Sequence, residues 1–222
     1  MIPVNHHLEV FVSYRDAMSY DKANIGRSGS YMKGIARRKE ILDRAIEVFA
    51  ERGADGTSLR KIGEAIGVSH AALLHYFDSR EQLLIAVYEH AENRRHRAEA
   101  GLVRSAVEVL ADAALDNVRE PGMVQLYTTL VAAAVEAGNE ISREHFSKRF
   151  AALRESLAES FRSDQQAGTI RADVDPHEIA ALLIAASDGL QIQWLLEPSV
   201  GLQSTLRVFS RLLSPVAPKP AP

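Results

Sequence analysis

The run from Thr57 to Phe77, TSLRKIGEAIGVSHAALLHYF, constrains this chain more than any other stretch. Leu59, Ile62 and Ile66 recur at the three- and four-residue intervals of one helical face. Thr57 or Ser58 offers that helix an N-cap. Gly67 then interrupts it, and glycine reaches left-handed backbone without steric cost. Ser69 is placed to cap a second helix running to about Tyr76, with Val68 and Leu73 available to turn inward. Two short helices sharing a tight glycine-containing turn have the sequence shape of a helix-turn-helix.

The flanking sequence is helical as well. Ile41, Leu42, Ala45, Ile46, Phe49 and Ala50 give Ala36 to Arg52 an apolar face, and Gly53 supplies a stop. Ser79 opens a further helix with Gln82 in the capping-box position, followed by Leu83, Leu84, Val87 and Tyr88. Beyond residue 97 the periodicity predicts helices over 103–118, 121–137, 143–167, 176–196 and 202–213. Asp175-Pro176-His177-Glu178 is a helix start that combines an N-cap, a first-turn proline and a reciprocal glutamate. No stretch alternates as a strand does, so the expected fold is all α. The expected domains are a flexible tail over 1–32, a helix-turn-helix head over 33–78, a helical body over 79–214 and a proline-rich tail over 215–222. Met32 stands just before the first strong helix and is an alternative translation start, with the preceding residues an extension of the reading frame.

Composition excludes several chemistries. The 222 residues contain no cysteine, which removes disulfides, thiolate metal sites and cysteine nucleophiles. No apolar run reaches the roughly 18 residues that span a bilayer, and the N-terminus lacks the pattern of a secretory signal. A cytoplasmic protein without membrane, metal or cofactor is expected. Residues 33–97 hold 12 Lys/Arg against 10 Asp/Glu, whereas 98–222 hold 11 against 16. That asymmetry suits a nucleic-acid-facing module on an acidic body. No HExxH, GxSxG or phosphate-binding glycine loop is present, and His90 and His96, six apart on a helix, face different ways. No enzyme activity is expected.

The helix-turn-helix carries the chemistry. Its second helix must be small enough to enter a major groove while the first crosses the backbone. Ser69, Ala71 and Ala72 are small residues that allow close approach to base edges and thymine methyls. His70 and His75 can donate or accept at bases or phosphates. Thr57, Ser58, Arg60, Lys61 and Tyr76 suit phosphate contacts, which set register and carry the salt dependence.

Residues 36–90 resemble the DNA-binding domain of TetR-family repressors, through the first helix ending in FAERG, the segment GTSLRKIGEAIGVS and the continuation HAALLHYFDSREQLL. The resemblance implies that Ala36 to Arg52 braces the helix-turn-helix, that Ser69 to Tyr76 is the recognition helix, and that Arg80 occupies the place of a usual phosphate-contacting lysine. Leu74 stands where the family often has a tyrosine. Gly63 replaces a usual alanine, at a cost of roughly 1 kcal/mol in helix propensity.

The resemblance further implies a homodimer that binds a (pseudo)palindromic double-stranded DNA operator, and a body that takes a small-molecule effector. Met123, Tyr127, Phe146, Phe150, Gln191 and Trp194 combine aromatic surface with polar tips and are the candidate pocket residues, with His145 and Asp188 as further polar contacts. Leu182, Ala185, Ala186, Gly189, Leu190, Leu202, Leu206 and Phe209, on the last two predicted helices, are the candidate dimer interface. A scaffold that retains an unused head, and an activator in place of a repressor, are the alternative readings.

Overall fold

The computed structural model describes residues 28–52, 59–96 and 105–215. They are helical throughout: α1 (Ser28–Arg52), α2 (Leu59–Ile66), α3 (His70–Tyr76), α4 (Arg80–His96), α5 (Ala106–Arg119), α6 (Met123–Val135), α7 (Glu140–Gln166), α8 (Pro176–Leu196), α9 (Leu202–Leu206) and α10 (Val208–Leu212). The all-α expectation holds. The ends of α5, α6 and α7 lie one to three residues from those read in the sequence, and two differences are larger. α1 starts at Ser28, inside the segment expected as a tail, and the last predicted helix divides at Arg207 into α9 and α10.

The described residues form two compact units. One holds 28–96 with 118–147, and the other holds 105–117 with 148–215. In the first, α1 packs on α2 and buries Ile41, Leu42, Ala45, Ile46 and Phe49, and Ile62, Leu73 and Phe77 of the helix-turn-helix are buried too. α4 buries six successive residues, Leu83 to Tyr88, which a helix does only when it is covered on several sides. α1 lies against one side of it and α6 against another.

Capping defines the start of α4. The Ser79 hydroxyl accepts from the Gln82 N–H at 3.1 Å, and the Gln82 amide oxygen accepts from the Asp78 N–H at 2.9 Å. The return bond therefore reaches one residue further back than a standard capping box. Asp43 of α1 and His90 of α4 meet at 2.8 Å, tying brace to connector.

The second unit is built round Val107, Leu110, Ala111, Leu157, Phe161, Ile179, Leu183, Ile184 and Leu206. Polar groups pin its elements together. The Arg207 guanidinium reaches both Glu108 carboxylate oxygens at 2.9–3.2 Å, and the Gln203 amide bonds Asp112. Asp175 caps α8 by accepting from the His177 N–H at 2.9 Å, as its sequence predicted.

Candidate nucleic-acid interface

The turn between α2 and α3 is closed by two backbone bonds. The Val68 N–H donates to the Gly63 carbonyl at 2.8 Å and the Gly67 N–H to the Glu64 carbonyl at 3.4 Å, the paired pattern of a Schellman stop. Gly67 has φ +71°, so its lack of a side chain is used here. A third group supports the turn from outside: Arg44 of α1 donates to the Ile66 carbonyl at 3.0 Å, satisfying an end that the helix leaves open.

Gly63 acquires a different meaning from the one its sequence context gave. A Cβ at this position would lie 2.5 Å from the Val68 carbonyl oxygen and 3.3 Å from Leu73 Cδ1. The glycine is there to let α2 approach the turn closely, and the propensity penalty is the lesser effect.

α3 is fixed at both ends. Ser69, in extended backbone, accepts from the Ala72 N–H at 3.1 Å, and the Phe77 N–H closes the helix on the Leu73 carbonyl. Leu73 and Phe77, one turn apart, are buried and root it in the core. Ser69, His70, Ala71, Leu74 and His75 are all exposed. Ala72 is half-buried, and so is Tyr76, whose ring meets that of His75 edge-on at 5.0 Å. Of the groups expected at bases, Ser69, His70, Ala71 and His75 are thus open to solvent.

Around it, Lys61 is exposed and Arg80 half-buried. Arg60 is exposed and pairs with Glu64 on its own helix at 3.1 Å, a bond that a phosphate can replace because exposed pairs contribute little. Thr57 and Ser58 lie outside the described residues. Leu74 is an addition to the expected set: it is 44% exposed and stands one turn beyond His70.

The candidate effector residues divide between the units. Tyr127 stacks on Tyr88 at 5.3 Å and meets Phe146 edge-on at 5.9 Å, with Met123 buried on the same helix. His145 is buried beside them, 3.6 Å from the Glu89 carboxylate. Phe150, Gln191 and Trp194 belong to the second unit. There Gln191 is buried, donates to the Ser187 carbonyl at 3.3 Å and accepts from Asn117 at 2.9 Å. Phe150 packs on that unit's core, and Trp194 and Asp188 are half-buried.

The candidate interface residues also divide, and two need correction. Leu202 and Leu206 are buried within their own unit, Leu206 completely, because the short α9 turns them toward α8. Neither has a surface to offer a partner. Ala186, Leu190 and Phe209 pack against the same core, partly covered. Leu182 and Ala185 are exposed, and Gly189 is half-exposed. Ile192, Leu196 and Leu212 are exposed too and were not singled out. Leu182, Ala185, Gly189, Ile192 and Leu196 follow three- and four-residue steps along one face of α8.

Comparison with known proteins agrees with this architecture. Residues 41–87 match the family described as bacterial regulatory proteins, tetR family, and residues 137–216 match the BetI-type transcriptional repressor C-terminal domain. An HTH-type transcriptional repressor of Mycobacterium tuberculosis is 29% identical over 157 residues, covering 70% of this chain and 80% of that protein. The HTH-type transcriptional regulator RutR of Escherichia coli is 48% identical over 52 residues, 23% of this chain and 24% of RutR. Among solved structures, Salmonella enterica GusR superposes with a TM-score of 0.61 at 27% identity, covering 81% of this chain and 95% of GusR. A TetR-family transcriptional regulator of Cytophaga hutchinsonii gives 0.66 at 16% identity, over 86% of this chain and 98% of its own. With a head, a body and relatives that all agree, the chain belongs to the TetR family of helix-turn-helix, DNA-binding transcriptional regulators.

Proposed function

We propose that this regulator is a homodimeric repressor that binds a (pseudo)palindromic operator and is released from it by a small-molecule effector. The observation that carries the DNA half is the division of α3. Leu73 and Phe77 anchor it in the core, while Ser69, His70, Ala71, Leu74 and His75 are all exposed to solvent. A helix held this way enters a major groove without reorganising its own core. Two such helices reach successive grooves only if a dimer fixes their separation, and the exposed apolar face of α8 is the surface suited to that pairing. As a DNA-bound regulator of bacterial type, it acts in the cytoplasm.

Support for an effector comes from the first unit. Ser142 Oγ is fully buried and has no hydrogen-bond partner among the described residues. Leaving a buried hydroxyl unsatisfied costs about 1–3 kcal/mol, which a polar ligand beside the Tyr127–Phe146 cluster would recover. Such a ligand weakens DNA binding only by its differential affinity for the two head spacings.

Selection from random duplexes at low ionic strength tests the reading. Enrichment of a two-fold symmetric site, bound more weakly as salt rises, is the expected result. A folded dimer that prefers no sequence would overturn it and favour the scaffold.

A further inference from the structure

α1 is longer than its core function requires. Among the residues of α1 whose burial is described, from Lys33 onward, Ile41 is the first that is buried, and the family match begins at the same position. None of residues 33–40 is buried. That segment carries Lys33, Arg37, Arg38 and Lys39 against the single carboxylate of Glu40. Its ion pairs are local: Arg37 with Glu40 at 2.6 Å, Arg44 with Glu40 at 3.0 Å and Lys39 with Asp43 at 3.5 Å. Lys33 is exposed and makes no ion pair among the described residues. Packing gives no reason for a basic helical extension here.

Its position does. The Arg38 guanidinium lies over the Phe77 ring, 5.0 Å from its centroid. Phe77 is the C-cap of α3, so this stack holds the extension beside the end of the recognition helix. Lys33 stands five residues further out, about 7.5 Å along the helix axis. Arg37 follows Lys33 by four residues, so the two share a face. A duplex that takes α3 into its major groove flanks that groove with phosphates.

The geometry points to the N-terminal turns of α1 as a second DNA-binding element, in which Lys33 and Arg37 hold phosphates beside the half-site while Arg38 fixes their position on Phe77. This rests on the DNA-binding reading and adds to it an outer contact that carries no sequence information. The partner is the DNA backbone, and the cation pair would exchange Glu40 for a phosphate at little cost, because exposed ion pairs are weak.

The test uses the full chain with Lys33→Ala and Arg37→Ala combined, titrated onto the selected operator and onto an unrelated duplex across a salt series. The slope of log affinity against log salt is expected to become shallower by about 0.9 for each phosphate contact removed, two per protomer. Affinity should fall by the same factor on both duplexes. The charge-retaining pair Lys33→Arg with Arg37→Lys should keep the wild-type slope, and unchanged thermal melting of both variants shows that the head is folded. An unaltered slope in the alanine pair overturns the inference while leaving α3 as the reader of sequence. A wild-type protein with no sequence preference overturns the underlying reading instead.

Discussion

Asp43 of α1 and His90 of α4 are joined at 2.8 Å, with the Arg94 guanidinium 3.6 Å from the same carboxylate oxygen. The pair fastens the helix that braces the head to the helix that leads away from it. Burial raises the Asp43 carboxyl, but the His90 hydrogen bond and charge, together with Lys39, more than offset that and bring its pKa below the ordinary carboxylate value.

A carboxylate with a depressed folded pKa stabilises the protein above its unfolded pKa, and the stabilisation is lost as pH falls through the folded value. Asp43→Asn should therefore lower stability at pH 7 by about 1 kcal/mol, since the pair is only partly shielded from water. It should also flatten the acid limb of the melting temperature plotted between pH 7 and pH 3. Parallel acid limbs in the two proteins would remove Asp43 from the linkage.

Gly63 and Gly67 fail for different reasons when substituted. Gly67→Ala places a side chain at φ +71°, costing roughly 1–2 kcal/mol with little steric conflict. Gly63→Val drives a branched side chain into the Val68 carbonyl and Leu73, and should cost about 2 kcal/mol or more. Urea denaturation ranks the two. A valine variant as stable as wild type would mean that α2 and the turn are further apart than described.

His70 and Tyr76 test separate parts of the DNA face. His70 is exposed at the first position of α3, whereas Tyr76 is half-buried at its end with its ring against His75. His70→Ala should cost roughly 1–3 kcal/mol at one base position and change the preferred base there. Tyr76→Phe should weaken all duplexes alike if the hydroxyl meets phosphate. Selection with each variant distinguishes them, and a uniform loss for His70→Ala would reassign it to the backbone.

Much of the head was legible because its signals are local. The Ser69 cap, the Gly67 stop and the Ser79–Gln82 cap are each decided within a few residues, and each forms. Gly63 was misread because its constraint is a clash with Val68 and Leu73, which no propensity scale contains. In the body, periodicity located α8 but not its orientation. That helix is apolar nearly all round, with Leu183, Ile184 and Gln191 turned inward and Leu182, Ile192 and Leu196 outward. When both faces are apolar, hydropathy cannot say which is core. Leu202 and Leu206 differ: they are the one apolar side of α9, and an apolar side does not say whether its own chain or a partner covers it.

That division of α8 gives the sharpest test of the dimer. Leu182 is 61% exposed and Leu196 is 84% exposed, four turns apart on one face, with Leu212 of α10 at 59%. Burying a leucine against a partner is worth about 1.5–3 kcal/mol, and two-fold symmetry counts each position twice. Leu182→Glu with Leu196→Glu should leave the monomer fold intact, because neither side chain is in its core, yet shift a dimer to monomer in light scattering. DNA affinity should fall with it, since a single α3 reads only a half-site. Leu206→Ala is the counterpart: its side chain is fully buried, so it should cost about 2–5 kcal/mol in unfolding. If Leu182→Glu with Leu196→Glu remains dimeric, the two chains meet through some other surface, and the separation of the recognition helices must be set there.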